Sequence, residues 1–197
     1  NNLAAGNYTC TVTDLNGCQK SVAISVPLIP SNIIPNFSST LACPGTTTAF
    51  TDLTTLNNDS LVAWAWDFGE PSSGTSNYSA LQNPTHAYSS SGTYSVTLTV
   101  ASQNGCTTSV VLPLTVYPGP VAGFSFTSSC VNNPTVFTDT SSISGATITN
   151  YSWDFGDPGS GLNNSSTLQN PTHTYYTGGS YTVSLTVTSS NNCSSTV

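Results

Sequence analysis

Shifted against itself by 87 residues, the chain superimposes Phe37 on Phe124, Cys43 on Cys130, Phe50 on Phe137, Asp52 on Asp139 and Trp66 on Trp153. The same shift carries His86 to His173, Tyr94 to Tyr181 and Cys106 to Cys193, with no gap from Phe37 to Cys193. A gapless period of this length marks one folding module copied in tandem. Each copy must therefore close its own small core within the period, which excludes any fold that needs the whole chain.

Within each copy the apolar residues alternate with period two. Trp64, Trp66 and Phe68 share one face, as do Tyr151, Trp153 and Phe155, and Tyr94, Val96, Leu98 and Val100 share one face of another segment. This is the pattern of half-buried strands. Thr, Val, Tyr and Phe fill the runs, while PSSG, SSSG, QNG and DPGSG punctuate them, and no segment has a helical pattern. Several short antiparallel strands around one central aromatic strand describe an all-β chain of tandem immunoglobulin-like β-sandwiches.

The first 30 residues fit the same ruler. GNYTCTVTDLNGC, Gly6 to Cys18, aligns with GTYSVTLTVASQNGC, Gly92 to Cys106, after two residues are dropped from the turn. The expected division is a C-terminal hairpin of a preceding sandwich over 1–30, one module over 31–117 and a second over 118–197 whose last strand is cut short. Proline-rich joints, VPLIPSNIIPN and VYPGPVAG, favour extended backbone and are expected to act as semi-rigid spacers.

Polarity comes from 83 Ser, Thr and Asn residues, whereas only Lys20 and eight acidic residues are charged. One lysine and no arginine leave no means of neutralising phosphates, so nucleic acid is not an expected partner. No apolar run reaches the 18 or so residues of a membrane helix, and membrane insertion is not expected. Six cysteines without CxxC spacing point to an oxidising, extracellular setting rather than to zinc.

The two histidines, His86 and His173, occupy one repeat position, each after a proline and two residues before a tyrosine. A catalytic residue is seldom duplicated without a partner beside it, so both are read as turn-holding scaffold. No nucleophile elbow, HExxH or phosphate loop is present, and no enzyme is expected. Asp67 and Asp154 are expected to tie nearby backbone amides. A calcium site over Asp67, Glu70, Asp154 and Asp157 is the weaker reading, because the spacing matches no EF-hand loop, and no cofactor is expected. Trp64 and Tyr151, at the start of the aromatic strand, are read first as packing residues and second as rings that stack on sugars.

All six cysteines are disulfide candidates. Cys43 and Cys106 stand 63 residues apart, as do Cys130 and Cys193, and self-contained repeats favour these within-module pairs. In an immunoglobulin topology, however, the loop near Cys43 and the turn near Cys106 lie at opposite ends, which makes Cys43 to Cys193 the alternative. Cys10 and Cys18 are expected to pair across their own hairpin, or Cys18 with a cysteine upstream of Asn1.

The motifs WDFGEP, NPTHAY and GTYSVTLTV, and again WDFGDPGSG, NPTHTY and GSYTVSLTV, resemble the PKD (polycystic kidney disease) domain, over Ser31 to Val197. Glu70 stands where that family usually has Asp, and Pro71 and Pro158 where it has Gly. The resemblance implies an immunoglobulin-like sandwich in which Trp66, Asp67, His86 and Tyr88, with Trp153, Asp154, His173 and Tyr175, are fold-motif residues. LAAGNYTCTVTDLNGC is similar to the end of repeats in bacterial gliding adhesins of the SprB type, which implies a cell-surface protein exported by the type IX route. The expected function is a non-enzymatic, adhesive stalk or filament whose partners are neighbouring modules, with surface glycans or proteins as further partners. The alternative is a carbohydrate- or protein-binding accessory module of a secreted hydrolase.

Overall fold

The computed structural model describes residues 6–26, 32–57, 59–127 and 130–197. Residues 27–31 of the first joint and Asn58 lie outside the described residues. Strands β1 (Gly6–Thr13) and β2 (Gln19–Val26) form an antiparallel hairpin whose turn carries Gly17 at φ +83°. Its apolar side chains Val12, Val22 and Ile24 are exposed.

The first module contains β3 (Ile33–Ile34), β4 (Phe37–Ser39), β5 (Thr47–Asp52), β6 (Thr55–Leu56), β7 (Leu61–Asp67), β8 (Tyr78–Ser79), β9 (Thr85–Ala87), β10 (Gly92–Ser102) and β11 (Thr107–Val116). One sheet has the order β11-β10-β7-β8 and another β4-β5-β9, with a two-stranded β3-β6 pair beside them. The alternation explains the result. On β10, Val96, Leu98 and Val100 are fully buried and meet Trp66, Phe68, Phe50 and Phe37 from the other strands, giving one aromatic core closed by Ala42 and Val116.

The second module repeats the plan with β12 (Phe124–Phe126), β13 (Pro134–Asp139), β14 (Ile148–Asp154), β15 (Ser165–Ser166), β16 (Thr172–Thr174), β17 (Ser184–Ser189) and β18 (Ser194–Thr196). Its sheets run β15-β14-β17-β18 and β12-β13-β16 around Phe137, Trp153, Phe155, Leu185 and Val187. The central pairing is conserved in register: Leu98 faces Trp66, and Leu185 faces Trp153.

One feature differs from the sequence expectation. Pro71–Asn77 and Pro158–Asn164 form short 3-10 turns, each opened by its proline and broken by a glycine at positive φ, Gly74 or Gly161. Proline suits a first turn because it fixes φ and needs no partner for an N–H. Such seven-residue segments are too short to leave a helical period.

Candidate functional site

The 3-10 turn begins at the aromatic strand and organises a polar clasp. Asp67 Oδ1 accepts from the Gly69 N–H at 2.9 Å and from Asn77 Nδ2 at 2.7 Å, while Asn77 Oδ1 accepts from the Glu70 N–H. Asp154, Gly156, Asn164 and Asp157 make the same set of bonds in the second module. Asn77 is thus buried and committed on both sides of its amide, which removes it as a glycan acceptor despite its Asn-x-Ser context.

The turn delivers Glu70 to His86. Their side chains meet at 2.9 Å between Oε2 and Nε2, both buried, and the His86 ring stacks on Phe68 at 4.5 Å and meets Tyr88 edge-on at 4.6 Å. Tyr88 donates its hydroxyl to the Phe68 carbonyl, and burial, reinforced by the Glu70 charge, pushes its ionisation up. Burial alone would raise the Glu70 carboxyl, but hydrogen bonds from the Ser89 hydroxyl and N–H, together with His86, outweigh it and hold the group below the usual glutamate range. In the second module Asp157 meets His173 at 3.1 Å, His173 stacks on Phe155, and Tyr175 donates to the Phe155 carbonyl. Position 176 there is tyrosine, so the serine hydroxyl that the longer Glu70 reaches has no counterpart.

Every carboxylate of the weaker calcium reading is engaged by these donors. Among the described residues, no group of three or more His, Cys, Asp or Glu side chains gathers in a way that could hold a metal ion. Trp64 is half-buried against the core and donates Nε1 to Asp52 Oδ2 at 2.8 Å; Tyr151 packs likewise and hydrogen-bonds Asp139. Both rings are anchored to the sandwich. Sequence reading missed the histidine partners Glu70 and Asp157 as a pair with the imidazoles, although a fixed separation of 16 residues in both copies was the available signal.

The cysteines require a correction. Cys43 is bonded to Cys193, with a Cα separation of 5.8 Å, while Cys10, Cys18, Cys106 and Cys130 are free. The within-module pairs Cys43 to Cys106 and Cys130 to Cys193 are overturned by strand geometry. Cys106 lies in the turn that starts β11, whereas the far end of β11 pairs in parallel with Ala42, where the Tyr117 N–H donates to the Ala42 carbonyl at 2.9 Å. Ten residues of strand, about 33 Å, therefore separate Cys106 from the end that holds Cys43. The turn between β17 and β18 fills that place instead: Cys193 Sγ lies 3.7 Å from the Tyr117 carbonyl oxygen. Cross-hairpin pairing of Cys10 with Cys18 is overturned too, because the register sets Cys10 opposite Val22 and leaves Cys18 in the turn.

Beside β17, residues 179–183 have no strand partner among the described residues, whereas their equivalents Gly92 to Val96 are paired with Leu112 to Val116. A groove of about 700 Å³ opens there, lined by Phe124, Phe126, Cys130, Tyr175, Tyr181 and Val183.

These features define a class, two immunoglobulin-like sandwiches in tandem, each carrying an acid-histidine clasp at its 3-10 turn. The chain belongs to the PKD domain family, whose model matches residues 33–116 and again 118–197. It is similar to the solved PKD1 domain of Epp from Vibrio anguillarum, with 25% identity over 43% of this chain and 92% of that one and a TM-score of 0.38. The PKD1 domain of the metalloprotease PrtV from Vibrio cholerae is 24% identical over 43% and 95%, with a TM-score of 0.37. The fibronectin(III)-like modules of CbhA from Clostridium thermocellum are 13% identical over 82% and 89%, with a TM-score of 0.41.

Proposed function

We propose that this chain is a non-enzymatic, load-bearing segment of a long bacterial cell-surface protein, a stalk or filament of tandem PKD modules. The observation that carries the reading is the bond from the first module's loop to the second module's turn. A spacer that only separates two functional parts needs no such tie. The bond gives the pair a second covalent connection besides the 117–123 joint, so the joint does not bear tension alone. A disulfide framework and a surface dissolved by hydroxyls and amides suit an oxidising exterior. The likeness of the opening residues to SprB-type repeats further supports an adhesin exported by the type IX route, with gliding as its setting.

The test is single-molecule stretching from both ends. The bond short-circuits 150 residues of chain, about 500 Å when extended. The oxidised protein is expected to withhold that length until reductant is added. Release of the full length before reduction sinks the load-bearing reading. Retention on a polysaccharide that vanishes in Trp64→Ala and Tyr151→Ala variants promotes the accessory-module reading instead.

A further inference from the structure

The two module cysteines left free sit at the repeat positions of the two that are bonded. Cys130 corresponds to Cys43, and Cys106 to Cys193. Their surroundings match as well. In the first loop the Gly45 N–H donates to the Tyr88 carbonyl and the Thr46 N–H to the Cys43 carbonyl; in the second the Asn132 N–H donates to Tyr175 and the Asn133 N–H to Cys130. In the turns, the Ser102 N–H donates to the Cys106 carbonyl, as the Ser189 N–H does to Cys193, and a left-handed residue, Gly105 or Asn192, precedes each cysteine. What differs is cover. Cys43 and Cys193 are buried where the modules meet, Cys130 is exposed and Cys106 is half-buried.

We propose that Cys130 and Cys106 are the two open ends of a disulfide ladder. Cys130 bonds to the turn cysteine of another PKD module, seated on the second sandwich as the second is seated on the first. Cys106 bonds to the loop cysteine of a module on the opposite side. The partner is defined by chemistry: for Cys130, a cysteine directly after a left-handed Gly or Asn in the turn before a last strand; for Cys106, a cysteine in the loop after a first strand. Each rung forms from two thiols, which surrender two protons and two electrons to an existing disulfide, that of a thiol oxidase during export or oxidised glutathione in vitro. That disulfide is cleaved to two thiols, and the new sulfur–sulfur bond remains. This proposal rests on the load-bearing reading and adds to it that the bonded intervals overlap. The interval beginning at Cys130 starts before the one ending at Cys193 closes, so successive bonded intervals overlap within each module and each joint is spanned by one rung.

The experiment is peptide mapping of the native protein, alkylated under acid denaturation before any reduction. The expected result is Cys43 joined to Cys193, with Cys130 and Cys106 both resistant to alkylation and each in a cystine. Cys130 should be joined to a cysteine of the turn type. A link from Cys130 to Cys106 or Cys18 in a species of dimer mass or larger identifies a second copy as the partner, and a peptide of other sequence identifies a further module; either supports the ladder. Alkylated Cys130 or Cys106, a link from Cys130 to Cys10, or a Cys106 to Cys130 link within a single 20.4 kDa chain overturns it. Any of these with Cys43 to Cys193 intact defeats the ladder alone. Loss of the Cys43 to Cys193 link defeats the load-bearing reading.

Discussion

Glu70 sits almost without solvent yet keeps its charge, because His86, the Ser89 N–H and the Ser89 hydroxyl all converge on its two oxygens. A carboxyl held below its ordinary value in the folded state binds its proton more readily once unfolded. Its contribution is therefore complete above the ordinary glutamate range near 4.5 and is lost as pH falls through the depressed folded value. Glu70→Gln is expected to cost about 1–3 kcal/mol at neutral pH and to flatten the acid limb of stability, as urea midpoints from pH 7 to pH 3 would show. Asp52 and Asp139 are likewise held low, against the pull of burial, by bonds that include Thr54 and Trp64 for the first and Ser141 and Gln169 for the second. A residual acid slope should thus survive in the variant, and an unchanged slope would show that Glu70 has no part in it. The fixed place of the histidine before its tyrosine was legible in the sequence, since it recurs at one period. Its acid was marked only by the equal separation of 16 residues in the two copies, because the pairing crosses from the 3-10 turn to β9 or β16 and follows no strand or helix period.

At the scale of elements, the period-two runs were legible because each strand buries one face, and their apolar side chains alternate accordingly. The edges were not. β3, β6, β8 and β15 have two residues each, too few to show a period; β8 and β15 pair with the longer β7 and β14, and β3 and β6 pair only with each other. The turn after the aromatic strand depends on Gly69, at φ +74°, where an added Cβ would stand 2.6 Å from the Ser95 carbonyl oxygen. Gly156, at φ +67°, meets the Thr182 carbonyl in the same way. Backbone strain and the clash add, so Gly69→Ala is expected to destabilise the first module by about 3 kcal/mol and Gly156→Ala the second by a similar amount. Gly105→Ala, with positive φ but open space around it, should cost about 1 kcal/mol. Equal losses in the three variants, read from chemical denaturation, would mean that φ alone matters and that the close approach to the neighbouring strand does not.

At the scale of the molecule, the sequence identified two modules but favoured the wrong bonds between its cysteines. Spacing shows only that a pair repeats, and the separation of 63 residues says nothing about which ends of a sandwich those positions occupy. The parallel pairing of Ala42 with Val116 decides it by bringing the first loop to the exit of the module, next to the second module's turn. Two connections then span the junction, the backbone from Tyr117 onward and the Cys43 to Cys193 bond. A single flexible connection permits rotation about itself, and a second one displaced from it removes most of that freedom. Replacing Cys43 and Cys193 together by serine should leave both sandwiches folded, because neither buried aromatic core contains the bond. It should broaden the distribution of distances between labels placed on the two modules. Pulsed dipolar spectroscopy of the pair, with circular dichroism to verify folding, separates the outcomes: a broadened distribution at constant strand content means the bond stiffens the joint, whereas an unchanged one assigns the stiffness to the proline joint alone.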